Sequence, residues 1–101
     1  MKRSFELSEY AGRPYHLVIR GEPDLTDPDE FAVTVYYNDP ERGSSIPVAR
    51  IDTDHGQSHL DKLFLEDAPK EWMDIDLWDA VDYLIDHHPE YARKHRDLTE
   101  R

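Results

Sequence analysis

The sequence predicts an α+β domain: an antiparallel meander sheet of four or five strands, with a C-terminal helical segment packed on one face. Through the first two-thirds of the chain, β-branched and aromatic residues alternate with polar ones, which is typical of strands. After Asp76 the apolar spacing becomes helical. A chain of 101 residues is long enough for one core, so we expect residues 1–101 to form a single domain.

Five segments have the pattern of strands, and turn residues separate them. They are residues 4–10, 15–20, 31–37, 46–51 and 59–65. The third is the clearest, because Phe31, Val33, Val35 and Tyr37 alternate onto one face. Pro47 cannot donate a hydrogen bond to a sheet, so we expect the fourth strand to start at an edge or a bulge.

The last third of the chain predicts helix, with Asp76 as its N-cap. One apolar stripe would face the core, formed by Leu77, Trp78, Ala80, Val81, Leu84 and Ile85. Pro89 lacks an amide hydrogen and restricts the residue before it, so the helix either kinks there or ends. We favour an end, followed by a second short helix from Pro89 to about Leu98.

The chain is strongly acidic, with 23 Asp+Glu against 12 Lys+Arg and a formal charge of −11. Asp outnumbers Glu and Arg outnumbers Lys, a surface suited to molar salt, and we expect a salt-rich cytoplasm. The acid excess weighs against nucleic-acid binding, which depends on phosphate neutralisation. The absence of cysteine excludes disulfides, thiolate metal sites and cysteine nucleophiles. No apolar run is long enough for a membrane span, so we expect no membrane partner.

The densest polar segment is residues 52–62, with two His and three Asp around a predicted turn. As a ribonuclease-like site, it would use His59 as general base, His55 as general acid and Asp61 to orient the imidazole. Arg50 would stabilise charge on a phosphate. The alternative is ordinary turn chemistry in an acid-rich chain. The spacing matches no closed metal signature, so we predict no metal and no cofactor.

Other histidines and aromatics are better explained by packing. We expect one of His87 and His88 to cap a helix end and the other to fill an amphipathic position, against a metal or proton site. His95 falls on the inward stripe and should be a hydrogen-bonded packing residue. Tyr36 and Tyr37 fit core and cross-strand pairs better than a stacking platform for bases. Trp72 either anchors a partner or covers the sheet edge.

Residues 48–56 (VARIDTDHG), 59–64 (HLDKLF) and 76–80 (DLWDA) resemble a group of small proteins of halophilic archaea with no assigned function. The order of strand, Asp, His, strand and helix is also loosely similar to the TumE-like toxins of toxin–antitoxin pairs. That resemblance implies a small protein that acts on RNA or cellular machinery and pairs with an antitoxin.

Two functions follow from these patterns. The first is an interaction or regulatory module, with a protein partner such as an antitoxin, or a second copy of the chain, bound near Trp72 and the acidic helix. The second is a ribonuclease-like hydrolase. The two differ in geometry, since an enzyme needs Arg50, His55, His59 and Asp61 to converge, whereas a binding module leaves them spread along a turn.

Overall fold

The computed structural model of the chain describes residues 1–10, 12–26, 28–39, 43–54, 57–63 and 71–99. In those ranges six strands form one antiparallel sheet, ordered along the chain from β1 to β6, and one helix, α1, follows. The elements are β1 (Lys2–Tyr10), β2 (Arg13–Glu22), β3 (Glu30–Asp39), β4 (Ser44–Asp54), β5 (Gln57–Lys62), β6 (Glu71–Met73) and α1 (Leu77–Thr99). The predicted α+β meander with a C-terminal helix is confirmed.

The predicted number of strands was wrong, because residues between the last predicted strand and the predicted helix form β6. Its three residues are too few to show alternation, and tertiary contacts hold it in place. It pairs with β5, with Trp72 opposite His59. The buried Ser58 hydroxyl, from β5, donates to the Met73 carbonyl and lies 3.1 Å from the Ile75 carbonyl oxygen.

The core lies between α1 and one face of the sheet, here called the covered face. Its strand residues alternate as predicted except at the neighbours Val48 and Ala49. The fully buried ones are Tyr15, Leu17, Ile19, Val33, Val35, Val48, Ala49 and Ile51. From α1 the core receives Leu77, Ala80, Val81, Leu84, Tyr91 and Ala92. The predicted inward stripe of the helix was too wide, since Trp78 and Ile85 are 44% and 41% exposed.

The predicted start of the fourth strand near Pro47 was wrong, because β4 begins at Ser44, but a bulge does lie beside this proline, one of the two alternatives expected for it. Val35 pairs with Ala49 and Tyr36 pairs with Pro47, so Val48 is an extra residue in β4. Pro47 also lies beyond the part of β4 that pairs with β5, where a missing amide hydrogen breaks no ladder.

The expected second helix at Pro89 was wrong, because α1 continues through this residue to Thr99. A proline inside a helix leaves the carbonyl four residues earlier without its usual donor, here the carbonyl of Ile85. The His88 ring compensates, with Nδ1 2.7 Å from that oxygen. Its other nitrogen, Nε2, lies 3.1 Å from the Ser8 hydroxyl on β1. The His88 imidazole thus replaces the missing donor of the helix and connects the helix to the sheet.

Asp76 is the N-cap of α1, as predicted, because its Oδ1 atom accepts a hydrogen bond from the Asp79 amide at 2.9 Å.

The second face of the sheet, here called the open face, points away from α1. Its residues are those that alternate with the core positions: His16, Val18 and Arg20 on β2, Ala32, Thr34 and Tyr36 on β3, Arg50 and Asp52 on β4, His59 and Asp61 on β5, and Trp72 on β6. Across the described ranges, no helix is long and apolar enough to cross a membrane.

Candidate functional site

Four polar residues converge on the open face where β4 and β5 pair. Arg50 lies opposite Asp61, and Asp52 lies opposite His59. Because residues two apart on a strand share a face, this register places all four side chains together. We call Arg50, Asp52, His59 and Asp61 the polar cluster.

The His59 imidazole and the Arg50 guanidinium both lie between the carboxylates of Asp52 and Asp61. The His59 Nε2 atom is 2.8 Å from Asp52 Oδ1 and 3.5 Å from Asp61 Oδ2. The Arg50 guanidinium makes longer contacts, with Nε 3.5 Å from Asp52 Oδ2 and Nη2 3.6 Å from Asp61 Oδ2. With a neutral imidazole, the cluster carries two negative charges and one positive charge.

His59 is the buried centre of the cluster, with only 1% of its surface exposed. The edge of the Trp72 ring packs against it, with ring centroids 5.4 Å apart. Neither ring nitrogen of His59 has an aligned hydrogen-bond partner among the described residues, although Asp52 Oδ1 is close to Nε2. Burial of a polar group without an aligned hydrogen bond is unfavourable, even with a carboxylate oxygen 2.8 Å away, so this site is a candidate for function.

The members of the cluster differ in how far they reach solvent. The side chain of Arg50 is 40% exposed and that of Asp52 is 27% exposed, whereas that of Asp61 is 15% exposed. A cleft of about 250 Å³ is lined by Asp52 together with Arg20, Glu22, Glu30, Phe31 and Thr53. A solute approaching the open face would therefore meet Arg50 and Asp52 first, with His59 behind them.

Of the four residues predicted to converge, the structure brings together Arg50, His59 and Asp61, and His55 lies outside the described residues. Sequence reasoning missed Asp52 as a member of the site. The signal was the register of the hairpin, because the two residues between β4 and β5 place Asp52 opposite His59. The predicted fifth strand begins at His59, whereas β5 begins at Gln57, and the two additional residues extend the pairing with β4 past Asp52.

The remaining histidines have structural partners. His95 is buried, and its Nε2 lies 3.0 Å from the Tyr37 hydroxyl, which confirms its predicted packing role. His87 stacks on Tyr83 with ring centroids 3.9 Å apart, and its Nδ1 lies 2.8 Å from the Tyr83 carbonyl oxygen. His88 fills the buried position described above, so the two neighbouring imidazoles point to different surroundings.

The aromatic residues also divide between the two faces. Tyr37 is buried in the core, whereas Tyr36 lies on the open face and stacks on His16 of β2 at 5.2 Å, so the predicted cross-strand pairing is confirmed. Trp72 is 60% exposed and lies on β6 beside His59, so it covers the sheet next to the polar cluster. Its role as the anchor of a partner stays a prediction.

Comparison with known proteins gives a family and no described activity. No curated protein and no solved structure matches the chain significantly. A family model covers nearly the whole chain, including every strand that builds the polar cluster. Because residues 3–101 match the family described as a domain of unknown function, DUF7718, the chain belongs to that family.

Proposed function

We propose that the chain is a ribonuclease-like hydrolase whose centre is the polar cluster. The observation that carries this proposal is the convergence of Arg50, Asp52, His59 and Asp61 around one buried imidazole. Side chains that can transfer protons and bind an anion are the groups that phosphodiester cleavage requires. Their arrangement also costs stability, which is common at functional sites.

Arg50 would bind the phosphate. Its guanidinium is the most exposed cationic group of the cluster and lies 3.5–3.6 Å from the carboxylate oxygens, longer than a tight bidentate pair. It is therefore free to add phosphate oxygens as ligands and to stabilise the charge that develops on them. Arg20, which shares a cleft with Asp52, would extend this binding surface.

Asp52 and His59 would activate the attacking hydroxyl. Asp52 is the member of the polar cluster that lines the cleft, and its Oδ1 atom lies 2.8 Å from His59 Nε2, so it can receive a proton from the hydroxyl and share it with the imidazole. The hydroxyl oxygen then bonds to phosphorus while the bond to the leaving oxygen breaks. Asp61 would stabilise the imidazolium, and His55 remains the predicted donor of a proton to the leaving oxygen.

The open face offers aromatic surface for the bases of a single-stranded substrate. Tyr36 and His16 form a stacked pair, and Trp72 is exposed at the far side of the cluster. Part of the acid excess that weighs against nucleic acid lies away from this face, since the first half of α1 carries Asp79, Asp82 and Asp86 on its exposed side. RNA is therefore the substrate class that we propose.

Cleavage of a labelled single-stranded RNA in concentrated KCl tests this function. We expect Arg50→Ala and Asp52→Asn each to lower kcat/KM by at least about 100-fold, because each removes a group needed in the transition state. Asp82→Asn makes the same chemical change on the exposed side of α1 and should leave cleavage unchanged. If the folded wild-type chain cleaves none of a panel of RNAs, or if Asp52→Asn retains full activity, the proposal is wrong.

A second candidate function, the interaction module, is favoured by the outer side of α1. Trp78 and Ile85 are exposed there at helical spacing, beside Asp82 and Asp86. Glu90 lies at the next turn, but Lys94 neutralises it locally: the ion pair is 2.8 Å long and lowers the pKa of Glu90. An acidic stripe with exposed apolar side chains fits a basic, amphipathic partner protein such as an antitoxin.

Co-purification with the product of the neighbouring gene in concentrated KCl tests this second function. A stable complex that is lost in Asp82→Lys/Ile85→Ser, but kept in Arg50→Ala, would support it. A wild-type chain that remains free of this product at every salt concentration would count against it.

A further inference from the structure

We infer that Asp52, His59 and Asp61 form a binding site for a first-row divalent metal ion, for which Zn²⁺ is the best probe. The three donors converge on the open face of the sheet, beside the Arg50 guanidinium. The binding of the ion follows from the geometry alone. Its chemical role in cleavage rests on the proposed function.

The spacing of the donor atoms is close to that of a metal site. One ligand atom from each of the three residues lies within 4.8 Å of the others. In a tetrahedral zinc site with bonds of about 2.0–2.1 Å, neighbouring donors are about 3.3–3.4 Å apart. The 3.5 Å separation of His59 Nε2 and Asp61 Oδ2 already fits. His59 Nε2 and Asp52 Oδ1 are only 2.8 Å apart, so these two atoms must move slightly apart to bind the ion. Rotation of the Asp52 carboxylate can supply this movement.

The state of His59 is a second and independent observation. The residue is 99% buried, and its Nε2 atom points toward both carboxylates without an aligned hydrogen bond among the described residues. The two buried histidines of α1, His88 and His95, differ from His59, because each has a ring nitrogen within 3.1 Å of a hydroxyl. A cation between Nε2 and the two carboxylates would satisfy all three groups at once.

The donor set selects the class of ion. One imidazole with two carboxylates suits zinc, iron or manganese, whereas Mg²⁺ and Ca²⁺ prefer six or more oxygen ligands. Three protein ligands leave a coordination position for water, as in catalytic zinc sites. In the proposed hydrolase, the ion would lower the pKa of the attacking hydroxyl and Arg50 would bind the phosphate. His59 and Asp52 would then be ligands of the ion, and the proton of the attacking hydroxyl would pass to a solvent water instead of the imidazole.

Arg50 gives the inference a sharp test, because it would act in opposite directions on metal binding and on catalysis. Its positive charge lies within 3.6 Å of both carboxylates and would repel the ion. Arg50→Gln should therefore tighten Zn²⁺ binding by about three- to tenfold, since the charge is partly screened by solvent. The same substitution should lower RNA cleavage, since it removes the phosphate-binding group.

Calorimetric titration of the chelator-treated chain with ZnCl₂, repeated with MnCl₂, is the experiment. We expect one ion per chain, and Asp52→Asn, Asp61→Asn and His59→Gln should each weaken binding by more than about tenfold, because even second-shell losses have that effect. Asp82→Asn should bind as the wild type does. Titration with Co²⁺ gives a readout that needs no activity, namely the visible absorption of a tetrahedral nitrogen–oxygen site. Circular dichroism and thermal melting show that each variant is folded.

The outcomes separate this inference from the proposed function. Absence of saturable binding in the wild type, or binding that Asp52→Asn and His59→Gln leave unchanged, would overturn the metal site. Cleavage of RNA that persists in excess chelator would also overturn the ion's role while leaving the hydrolase standing. Binding of one ion with no cleavage would keep the site and remove the hydrolase.

Discussion

Buried histidines on the two faces of the sheet have different polar partners. On the covered face, His88 and His95 are built into the helix–sheet contact, and each has a hydroxyl within hydrogen-bond distance. On the open face, His59 is more completely buried than either, yet it lies between two carboxylates with no aligned hydrogen bond among the described residues. The first two histidines connect the helix to the sheet through a hydroxyl, whereas the imidazole of the third faces carboxylates only.

This difference suggests how to distinguish a buried polar group that supports the fold from one that is kept for binding or catalysis. A group selected for stability acquires partners, since an unpartnered buried polar atom is expensive. A group kept for binding or catalysis needs unused bonding capacity for its ligand. The open face therefore carries our functional hypotheses, and the covered face supplies a rigid support for them.

The largest expected effect on the free energy of unfolding is that of a substitution on the covered face. Leu84 is fully buried against the sheet, so Leu84→Ala should lower the free energy of unfolding by about 2–5 kcal/mol through lost burial and a residual cavity. Thr34→Ala, on the open face, should change it by less than about 0.5 kcal/mol. Urea denaturation in concentrated KCl measures both. Equal losses in the two variants would contradict the division of the sheet into a core face and an open face.

A smaller effect compares the histidines directly. His95→Phe keeps a ring but removes the contact with the Tyr37 hydroxyl, so we expect a loss of about 1–2 kcal/mol. His59→Phe removes nitrogens that have no aligned partner, so stability in the presence of chelator should change little or increase. The same denaturation assay applies. A loss for His59→Phe that exceeds the loss for His95→Phe would show that His59 is structural.

The smallest effect concerns the acidic outer side of α1. Asp79, Asp82 and Asp86 are exposed at helical spacing, and each close pair of like charges costs about 0.2–0.5 kcal/mol at low salt. We expect the wild type to be more stable in about 2 M than in about 0.1 M KCl, because salt screens this repulsion. Asp82→Asn/Asp86→Asn should gain less from salt. Stability that does not depend on KCl would remove the case for adaptation to a salt-rich environment.

Much of the fold could be predicted because its signals are local. The alternation of Val33, Val35 and Tyr37 defines a strand face without any other part of the chain, and Asp76 predicts the helix start from its own chemistry. The helix through Pro89 could not be predicted in this way, because the donor that compensates for the proline is a His88 ring held by Ser8 from the far end of the chain.

For the candidate site, too, some features could be predicted from the sequence and others could not. The sequence by itself determined which chemical groups are present, namely carboxylates, imidazoles and Arg50 near a turn, and it determined that His59 and Asp61 share a face. Only the tertiary structure decided that Asp52 meets His59, that Trp72 on a three-residue strand packs beside them, and that the imidazole is buried. The physical reason is that periodicity fixes the direction of a side chain within its own strand, whereas partners and burial depend on register between strands.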